Sequence, residues 1–410
     1  MKKIFIFLIA AIFFSPSPSF GEVEGFEIHG FASSGYLKSK YNNYLGKSKV
    51  GLFEFNEFGL NINKDVTDNI RIGMQLYSFD MGNFGNNNVK LDWAFLDYQW
   101  KEYLGLKVGK IKTPLGLYNE VQDYDMLWVP VLLPQSVYTK YLRETMISTQ
   151  GASLYGNIPI SFLGHLRYDI YTGAQEVDPD GGMLKYVNTT EVTFGEAVFD
   201  DYIGSRLKWY TPLRGLVLAG SAVNFEMYFT GTAALPPPAP AGTTIDAIMD
   251  FTDFSWVIGS LEYTFKDFIF SAEYSRMDMD ITVKTPEGVF LRDMSRVRDG
   301  YYAQMSYRVN TWLETGTYYS VMYQDKDNKK GTNYPAGSEH YAWHKDLAFT
   351  LRFNITDFWN VKFEQHFMNG VFLAEPDNPP TAADAVINSV PPGCTEKIWT
   401  MFALKTTFSF

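Results

Sequence analysis

The sequence contains a single cysteine, few charged residues and no long apolar run beyond its first 14 residues. One cysteine, Cys394, cannot form an intramolecular disulfide, so the fold must be stable without covalent cross-links. Charged residues make up only 20% of the chain, and acidic residues outnumber basic ones by 46 to 35. This acidic balance argues against a nucleic-acid partner, which requires clustered Lys and Arg. Because no later run reaches the ~18 apolar residues of a membrane-spanning helix, the sequence excludes helical transmembrane spans.

Aromatic residues, in contrast, are abundant. They make up 17% of the chain and include 27 Tyr and 33 Phe, more than a soluble core of this length normally needs. Membrane β-barrels use such residues in girdles at both lipid–water interfaces. Abundant aromatics without helical spans therefore favour a membrane barrel over the alternative, a large secreted β-protein.

The amino terminus has the pattern of a secretory signal peptide. The basic start Met1–Lys3 is followed by the apolar run Ile4–Phe14 and by small residues up to Gly21. The apolar run is too short to span a bilayer as a permanent anchor. We place cleavage after Gly21, so that residues 1–21 are the signal peptide and residues 22–410 form a single barrel domain.

Period-2 alternation bounded by turn residues predicts sixteen strands. An even count is expected for a single-chain bacterial barrel. The predicted fold class is therefore all-β, a 16-stranded antiparallel transmembrane β-barrel with an inward-folded constriction loop. The predicted strands lie at 27–38, 52–63, 69–80, 89–100, 104–112, 145–156, 161–173, 201–210, 215–229, 252–265, 268–283, 299–309, 312–325, 345–355, 359–370 and 397–410.

The predicted connections alternate between short turns and long loops. Short periplasmic turns and long external loops are typical of such barrels, and an even strand count puts both termini in the periplasm. The chain ends on Phe410, and this ending resembles the carboxyl-terminal signature of bacterial outer-membrane β-barrels. The predicted location is therefore the bacterial outer membrane, with outer-membrane lipid around the barrel. Short turns are predicted at 64–68, 101–103 and 266–267, and long loops at 113–144, 174–200, 231–251, 326–344 and 371–397.

The alternation within each predicted strand separates a lipid face from a lumen face. In one strand, for example, Phe349 and Leu351 alternate with Thr350 and Arg352. A barrel of sixteen strands is wide enough for an aqueous channel, so its inward charges would determine its selectivity. Inward cations outnumber inward anions in this assignment, which predicts a mild preference for anionic solutes. The alternative is that these charges only pair with one another. The candidate pore-lining cations are Arg71, Lys107, Arg167, Arg206, Lys208, Arg308, Arg352 and Lys362.

The predicted loop 113–144 differs in composition from the other loops. Its segment Leu127–Pro134 is too apolar for a solvated external loop. An apolar loop of this length after the fifth strand resembles the third loop of general porins, which folds into the barrel and constricts it. The alternatives are a subunit contact and an external lid. The candidate pore-facing residues of this constriction loop are Glu120, Asp123, Asp125, Lys140 and Arg143.

A more specific resemblance lies just before that loop. The run Val108–Glu120 resembles a stretch of the phosphate-selective porin superfamily and its dicarboxylate-channel-like relatives, and the segments Glu57–Asn63 and Ile70–Gln75 resemble the hairpin common to that group. The resemblance implies a trimer with a narrowed pore for small anionic solutes. A phosphate-specific member would carry a dense arginine ladder and a lysine cluster at the constriction. Here acidic residues follow the lysines of the fifth strand, so we do not expect phosphate specificity.

Together these features predict a porin, a water-filled channel for passive diffusion of small hydrophilic solutes with a preference for anions, assembled as a homotrimer. The alternatives are a barrel that sheaths a redox partner protein and an outer-membrane enzyme. The five histidines include no spacing typical of a catalytic triad, and His340 and His344 lie in a predicted loop. We therefore expect no enzymatic activity, no catalytic residue, no metal site and no cofactor. The sequence does not name the solute.

Overall fold

A computed structural model describes residues 25–178, 181–189, 192–235, 240, 242–375, 377 and 396–410. The predicted signal peptide, residues 1–21, and Cys394 lie outside the described residues. Within these ranges, sixteen strands form one closed barrel in which each strand pairs antiparallel with the next and the first pairs with the last. The predicted fold class is confirmed.

The observed elements agree closely with the predicted ones at their centres. No helix in the described ranges is long and apolar enough to cross a membrane. The loops contain the short helices α1 (Arg143–Met146) and α2 (Gly182–Val187). The strands are β1 Glu27–Lys40, β2 Asn56–Thr67, β3 Ile70–Asp80, β4 Lys90–Lys101, β5 Leu104–Lys112, β6 Ser148–Pro159, β7 His165–Ala174, β8 Val192–Tyr210, β9 Leu216–Ala234, β10 Thr244–Phe265, β11 Phe268–Lys284, β12 Phe290–Arg308, β13 Leu313–Tyr323, β14 Trp343–Thr356, β15 Trp359–Asn369 and β16 Ile398–Ser409.

The barrel closes where the two ends of the chain meet. β1 and β16 pair from Phe31 opposite Ser409 to Lys40 opposite Thr400. The backbones of Gly30 and Phe410 then exchange two N–H···O bonds of 2.9 Å. Because hydrocarbon offers no hydrogen-bond partner to an open sheet edge, this closure is what allows the sheet to span a membrane. The terminal residue, Phe410, is therefore part of the ladder itself.

The start of β1 and the end of β16 lie at the end of the barrel that carries the short turns. These turns comprise residues 68–69, 102–103, 160–164, 211–215, 266–267, 309–312 and 357–358. The connections 113–147 and 324–342 join their strands at the opposite end. The predicted alternation of short turns and long loops is confirmed except between β11 and β12, where the connection 285–289 is short.

The two faces of the wall also follow the predicted alternation. Phe349 and Leu351 on β14 are exposed on the outside, whereas Thr350 and Arg352 between them are buried inside the barrel. On β15, Phe363 and Phe367 point outward in the same way. The exposed apolar band is the surface that contacts lipid.

Strands β8–β12, which we call the tall sector, are longer than the others. They contain 17 to 22 residues, whereas the remaining strands contain 9 to 14. A membrane-spanning strand needs only about 9–11 residues, so the tall sector projects beyond the lipid at the long-loop end. The predicted long loops 174–200 and 231–251 were therefore wrong in extent, because β8 already begins at Val192, β9 continues to Ala234 and β10 begins at Thr244.

Polarity inverts in the projecting part of the tall sector. Glu226 on β9 and Asp280 on β11 point outward and are exposed, whereas Phe225 and Met279 beside them point inward and are buried. In β10 a bulge between Phe251 and Phe254 lets both rings face the interior. Outside the lipid, the wall thus behaves as a water-soluble sheet with its apolar face inside.

This inversion gives a test of where the lipid ends. Phe349→Lys places a charge near the middle of the lipid face of β14, and we expect it to lower the free energy of unfolding from bilayers by about 2–4 kcal/mol. The matched change Asp280→Lys lies on the projecting part of β11 and should have little effect. Urea titrations of barrels folded into lipid vesicles measure both values, and equal losses would contradict the assigned lipid band.

Candidate functional site

The candidate site is built around the connection between β5 and β6, residues 113–147, which we call the inner loop. Most of its predicted apolar segment is buried inside the barrel: Trp128, Val131 and Leu132 are all less than one tenth exposed, whereas Leu127 is exposed. Gly116 lets the loop turn inward, because its φ of +61° is rarely adopted by other residues and an added Cβ would lie 2.6 Å from the Tyr138 hydroxyl. The inner loop contacts inward-facing side chains of β2, β4, β8, β11 and β14–β16.

Asp125 attaches the inner loop to the last strands of the barrel. Its carboxylate lies 3.1 Å from Lys362 Nζ on β15 and 3.2 Å from Lys405 Nζ on β16, and it accepts a 2.7 Å hydrogen bond from Thr407. Burial alone would raise the pKa of Asp125, but the charges of Lys362 and Lys405 lower it. Lys362 is fully buried and also donates to the carbonyl oxygens of Asp125 and Pro130, at 2.7 and 3.2 Å.

Two glutamates extend this attachment. Glu364 on β15 accepts the backbone N–H groups of Val131 and Leu132 at 2.8 and 3.0 Å. Glu57 on β2 accepts from Lys405 at 2.5 Å and from Lys140 of the inner loop at 3.0 Å. The inner loop and the wall therefore neutralise each other's buried charges along β14–β16 and β2.

Arg143 forms a separate buried cluster near β3 and β4. It donates two hydrogen bonds to Asp123, at 2.6 and 2.9 Å, and two to Asp92 on β4, at 2.8 and 2.9 Å. Its guanidinium lies 3.8 Å from the centre of the Tyr77 ring. Burial would lower the pKa of Arg143, but Asp123 and Asp92 raise it. All three charged groups are less than one tenth exposed, so removal of one would leave the others buried and uncompensated.

Glu120 faces the wall formed by β5–β8. It lies 2.6 Å from Arg206, which also donates to Asp169 at 2.9 Å. Burial would raise the pKa of Glu120, but the charges of Arg206, Lys208 and Lys107 lower it to about 2. Unlike Lys362, this group retains contact with water: the side chains of Glu120, Lys107 and Arg167 are 26%, 25% and 33% exposed.

Glu273 on β11 provides an attachment that does not involve a basic residue. It accepts hydrogen bonds from the backbone N–H of Leu117 at 2.9 Å, from Ser260 at 2.5 Å, from Tyr302 at 2.8 Å and from Tyr138. Alternation indicated that Glu273 points inward, but no sequence signal indicated that it binds the inner loop. The same is true of Glu364 and Asp92, whereas Glu57 was not among the predicted inward charges.

The structure divides the candidate pore-lining cations into groups. Lys107, Arg167, Arg206 and Lys208 lie together on β5–β8, and Arg352 and Lys362 lie on β14–β15 beneath the inner loop. Arg352 donates to the carbonyl of Trp128 at 3.2 Å. Arg71 and Arg308 are more exposed and lie nearer the short-turn end, with carboxylates no closer than 3.8 Å in their ion pairs. One residue separates each from a group: Asp97 lies between Arg71 and Lys107, and Glu314 lies between Arg308 and Arg352.

In the part of the chain that the structure describes, no group of three or more His, Cys, Asp or Glu side chains could hold a metal ion.

Comparison with known proteins establishes the fold. No protein-family model matches the chain, and no curated protein matches it. Three similar solved structures each cover 94% of this chain. The outer membrane channel DcaP of Acinetobacter baumannii matches with a TM-score of 0.54, 9% identity and 97% of its own length covered. The anion-selective porin from Comamonas acidovorans gives 0.52, 12% and 99%, and the trimer form of the outer membrane protein OmpT of Vibrio cholerae gives 0.54, 10% and 99%. At these identities the similarity concerns the 16-stranded barrel fold.

The Arg143 cluster makes a prediction about the inner loop. Arg143→Met removes the cation while keeping much of the side-chain volume, and it leaves Asp92 and Asp123 buried without a counter-charge. We expect the free energy of unfolding to fall by about 3–5 kcal/mol and the backbone amides of 140–146 to exchange hydrogen faster. The control Arg276→Met breaks the Arg276–Asp278 pair on the outer surface and should leave both measurements unchanged. Similar values for the two variants would contradict a buried attachment at Arg143.

A second prediction follows from Glu120. Because its folded-state pKa of about 2 lies below the ordinary value of 4.5, ionised Glu120 stabilises the fold above pH 4.5, and this contribution is lost as the pH falls toward 2. The variant Glu120→Gln lacks the charge at every pH. The stability difference between wild type and variant should therefore be constant above pH 4.5 and shrink below it. Urea unfolding at a series of pH values measures this, and a pH-independent difference would exclude the Glu120–Arg206 ion pair.

Proposed function

We propose that the protein is an outer-membrane porin, a water-filled channel for passive diffusion of small hydrophilic solutes with a weak preference for anions. One observation carries the proposal: a closed 16-stranded barrel keeps inward charges in contact with water along β5–β8, while the inner loop covers the charges of β14–β16. Barrels of this size enclose an aqueous channel. The solved structures with the same fold include an outer membrane channel and an anion-selective porin, which supports the proposal.

The diffusion path runs off-centre, along the β5–β8 side of the barrel. Lys362 on β15 is inaccessible to water and donates to carbonyl oxygens of the inner loop, so a passing solute cannot contact it. Lys107, Arg167 and Lys208 remain partly exposed around Glu120. The inner loop is thus the constriction, and it faces the β5–β8 wall.

The charge balance along this path favours anions only slightly. Among the described residues of this region, four cations lie near three anions. The cations are Lys107, Arg167, Arg206 and Lys208, and the anions are Asp97, Asp169 and Glu120. Most of these charges form ion pairs, with Lys107 lying 3.9 Å from Asp97 and Arg167 lying 3.8 Å from Asp169. A small excess of positive charge in a narrow passage raises the local concentration of anions. We therefore propose a weak preference and no phosphate specificity.

The proposal includes the location and the assembly of the protein. The chain is exported by the signal peptide 1–21 and resides in the bacterial outer membrane, with its short turns and both termini in the periplasm. It assembles as a homotrimer, which the trimer form of the similar Vibrio cholerae protein supports. It catalyses no reaction and uses no cofactor.

Ion selectivity tests the path. In planar bilayers with a salt gradient, the reversal potential of the wild-type protein should indicate a slightly higher permeability to anions than to cations. The double variant Lys107→Ala with Arg167→Ala removes two partly exposed cations from the path. Its reversal potential should shift toward a higher permeability to cations. Arg352→Ala removes a cation that is covered by the inner loop and should shift the potential less.

Arg276→Ala, on the outer surface of β11, is the control for a change in net charge alone and should leave the reversal potential unchanged. An unchanged potential in the double variant would overturn the path along β5–β8. A folded barrel with no conductance would overturn the channel itself and favour the alternatives, a sheath for a partner protein or an enzyme.

A further inference from the structure

A cavity of about 830 Å³ lies at the long-loop end of the barrel, and its lining contains none of the cations assigned to the proposed diffusion path. It is bounded by the outer ends of β3–β6, by the loop between β3 and β4, by Arg143 and Glu144 of the inner loop, and by the segment that follows β7. Cavities of about 300–1,000 Å³ are typical of sites for small molecules. The lining residues used below are Tyr77, Phe79, Lys90, Lys110, Glu176 and Asp178.

The cavity exists because two neighbouring strands separate. The β4–β5 ladder ends at the pair Ala94 and Lys110. On either side, the β3–β4 ladder continues to Lys90 and the β5–β6 ladder continues to Lys112. The outer ends of β4 and β5 therefore diverge without hydrogen bonds between them, and this leaves room for a ligand in an otherwise continuous wall.

Charges of opposite sign in the lining of the cavity come from different elements of the fold. The cations Lys90 and Lys110 come from the wall strands β4 and β5, and the anions Glu176 and Asp178 come from the segment that follows β7. Each cation is paired with an anion of that segment: Lys90 with Asp178, and Lys110 with Glu176 at 2.9 Å.

The Lys110–Glu176 ion pair is weak enough to be opened by a ligand. The side chains of Lys110 and Glu176 are 21% and 61% exposed, and a pair of this kind contributes only about 0–1 kcal/mol. If a simple anion replaced Glu176 at Lys110, it would leave Glu176 without a cation, and a simple cation would leave Lys110 without an anion. A molecule that carries both charges can satisfy both partners at once.

We propose that this cavity binds small zwitterionic solutes, molecules that carry one ammonium and one carboxylate group. The solute carboxylate binds Lys110, and its ammonium binds Glu176. The rings of Tyr77 and Phe79 in the lining provide an apolar surface for the rest of the solute. As a docking site at the mouth of a channel, the cavity deepens the proposed function and rests on it, whereas binding to the cavity can be measured without conductance.

The first experiment compares probes that share the leucine side chain and differ in charge. L-leucine is a zwitterion, N-acetyl-L-leucine is an anion and L-leucine methyl ester is a cation. Binding of each probe to the full barrel in detergent is measured by saturation-transfer NMR titration. We expect leucine to bind about tenfold more tightly than either derivative, which corresponds to ~1.4 kcal/mol. Equal or tighter binding of the anion, or of the cation, would overturn the proposal.

Variants then locate the site. Lys110→Gln with Glu176→Gln removes both charges, and the preference for leucine should fall to less than about threefold. The exchanged pair, Lys110→Glu with Glu176→Lys, keeps one charge of each sign and should retain the preference. The control pair Lys284→Gln with Asp250→Gln removes a 2.6 Å ion pair of the tall sector, away from the cavity, and should behave like wild type.

The two proposals fail in different ways. If leucine binds with the expected preference but the barrel does not conduct ions, the proposed channel function is wrong and the proposed binding site is supported. If the barrel conducts ions but the double glutamine variant keeps the full preference for leucine, the proposed binding site is wrong and the proposed channel function is supported.

Discussion

Hydrocarbon cannot hydrogen-bond to a backbone, so every N–H and C=O group within the lipid must find its partner in the protein. An antiparallel sheet meets this condition only if its first and last strands join, as β1 and β16 do through Gly30 and Phe410. Closure forces alternate side chains to face lipid and lumen. The outward set is then apolar, and the polar residues, including most of the charges of the wall, point into the barrel.

Those inward charges explain the form of the inner loop. Lys362, Lys405 and Glu57 are buried, and each would be costly without a partner of opposite charge. Asp125 and Lys140 of the inner loop supply such partners, and backbone groups satisfy the remaining hydrogen bonds. The inner loop is therefore a set of counter-charges as well as an obstruction. Along β5–β8 the inner loop does not cover the wall, so the charged side chains there remain in contact with water and available to solutes.

The sequence was sufficient to predict the strands, their faces and the inward course of the inner loop, because period-2 alternation and the apolar segment 127–134 are local signals. It was insufficient for the tall sector, where alternation continues but its polarity inverts, so that Phe225 points inward and Glu226 points outward. It was also insufficient for the partners of the inner loop. Asp125 contacts Lys362 and Lys405 only after the barrel has closed. No local sequence pattern distinguishes a cation that the inner loop covers, such as Lys362, from a water-exposed cation such as Lys107.

The inverted polarity of the tall sector has a consequence for assembly. A barrel that inserts with its long loops leading must carry the outward carboxylates of β9–β11, such as Glu226 and Asp280, through the hydrocarbon before they reach water on the far side. At that stage the rings of Phe225 and Phe254 lack the packing that they have in the finished interior. Translocation of these hairpins therefore adds an energetic cost to membrane entry beyond that of the charged long loops, and proteins that assist insertion would lower this cost.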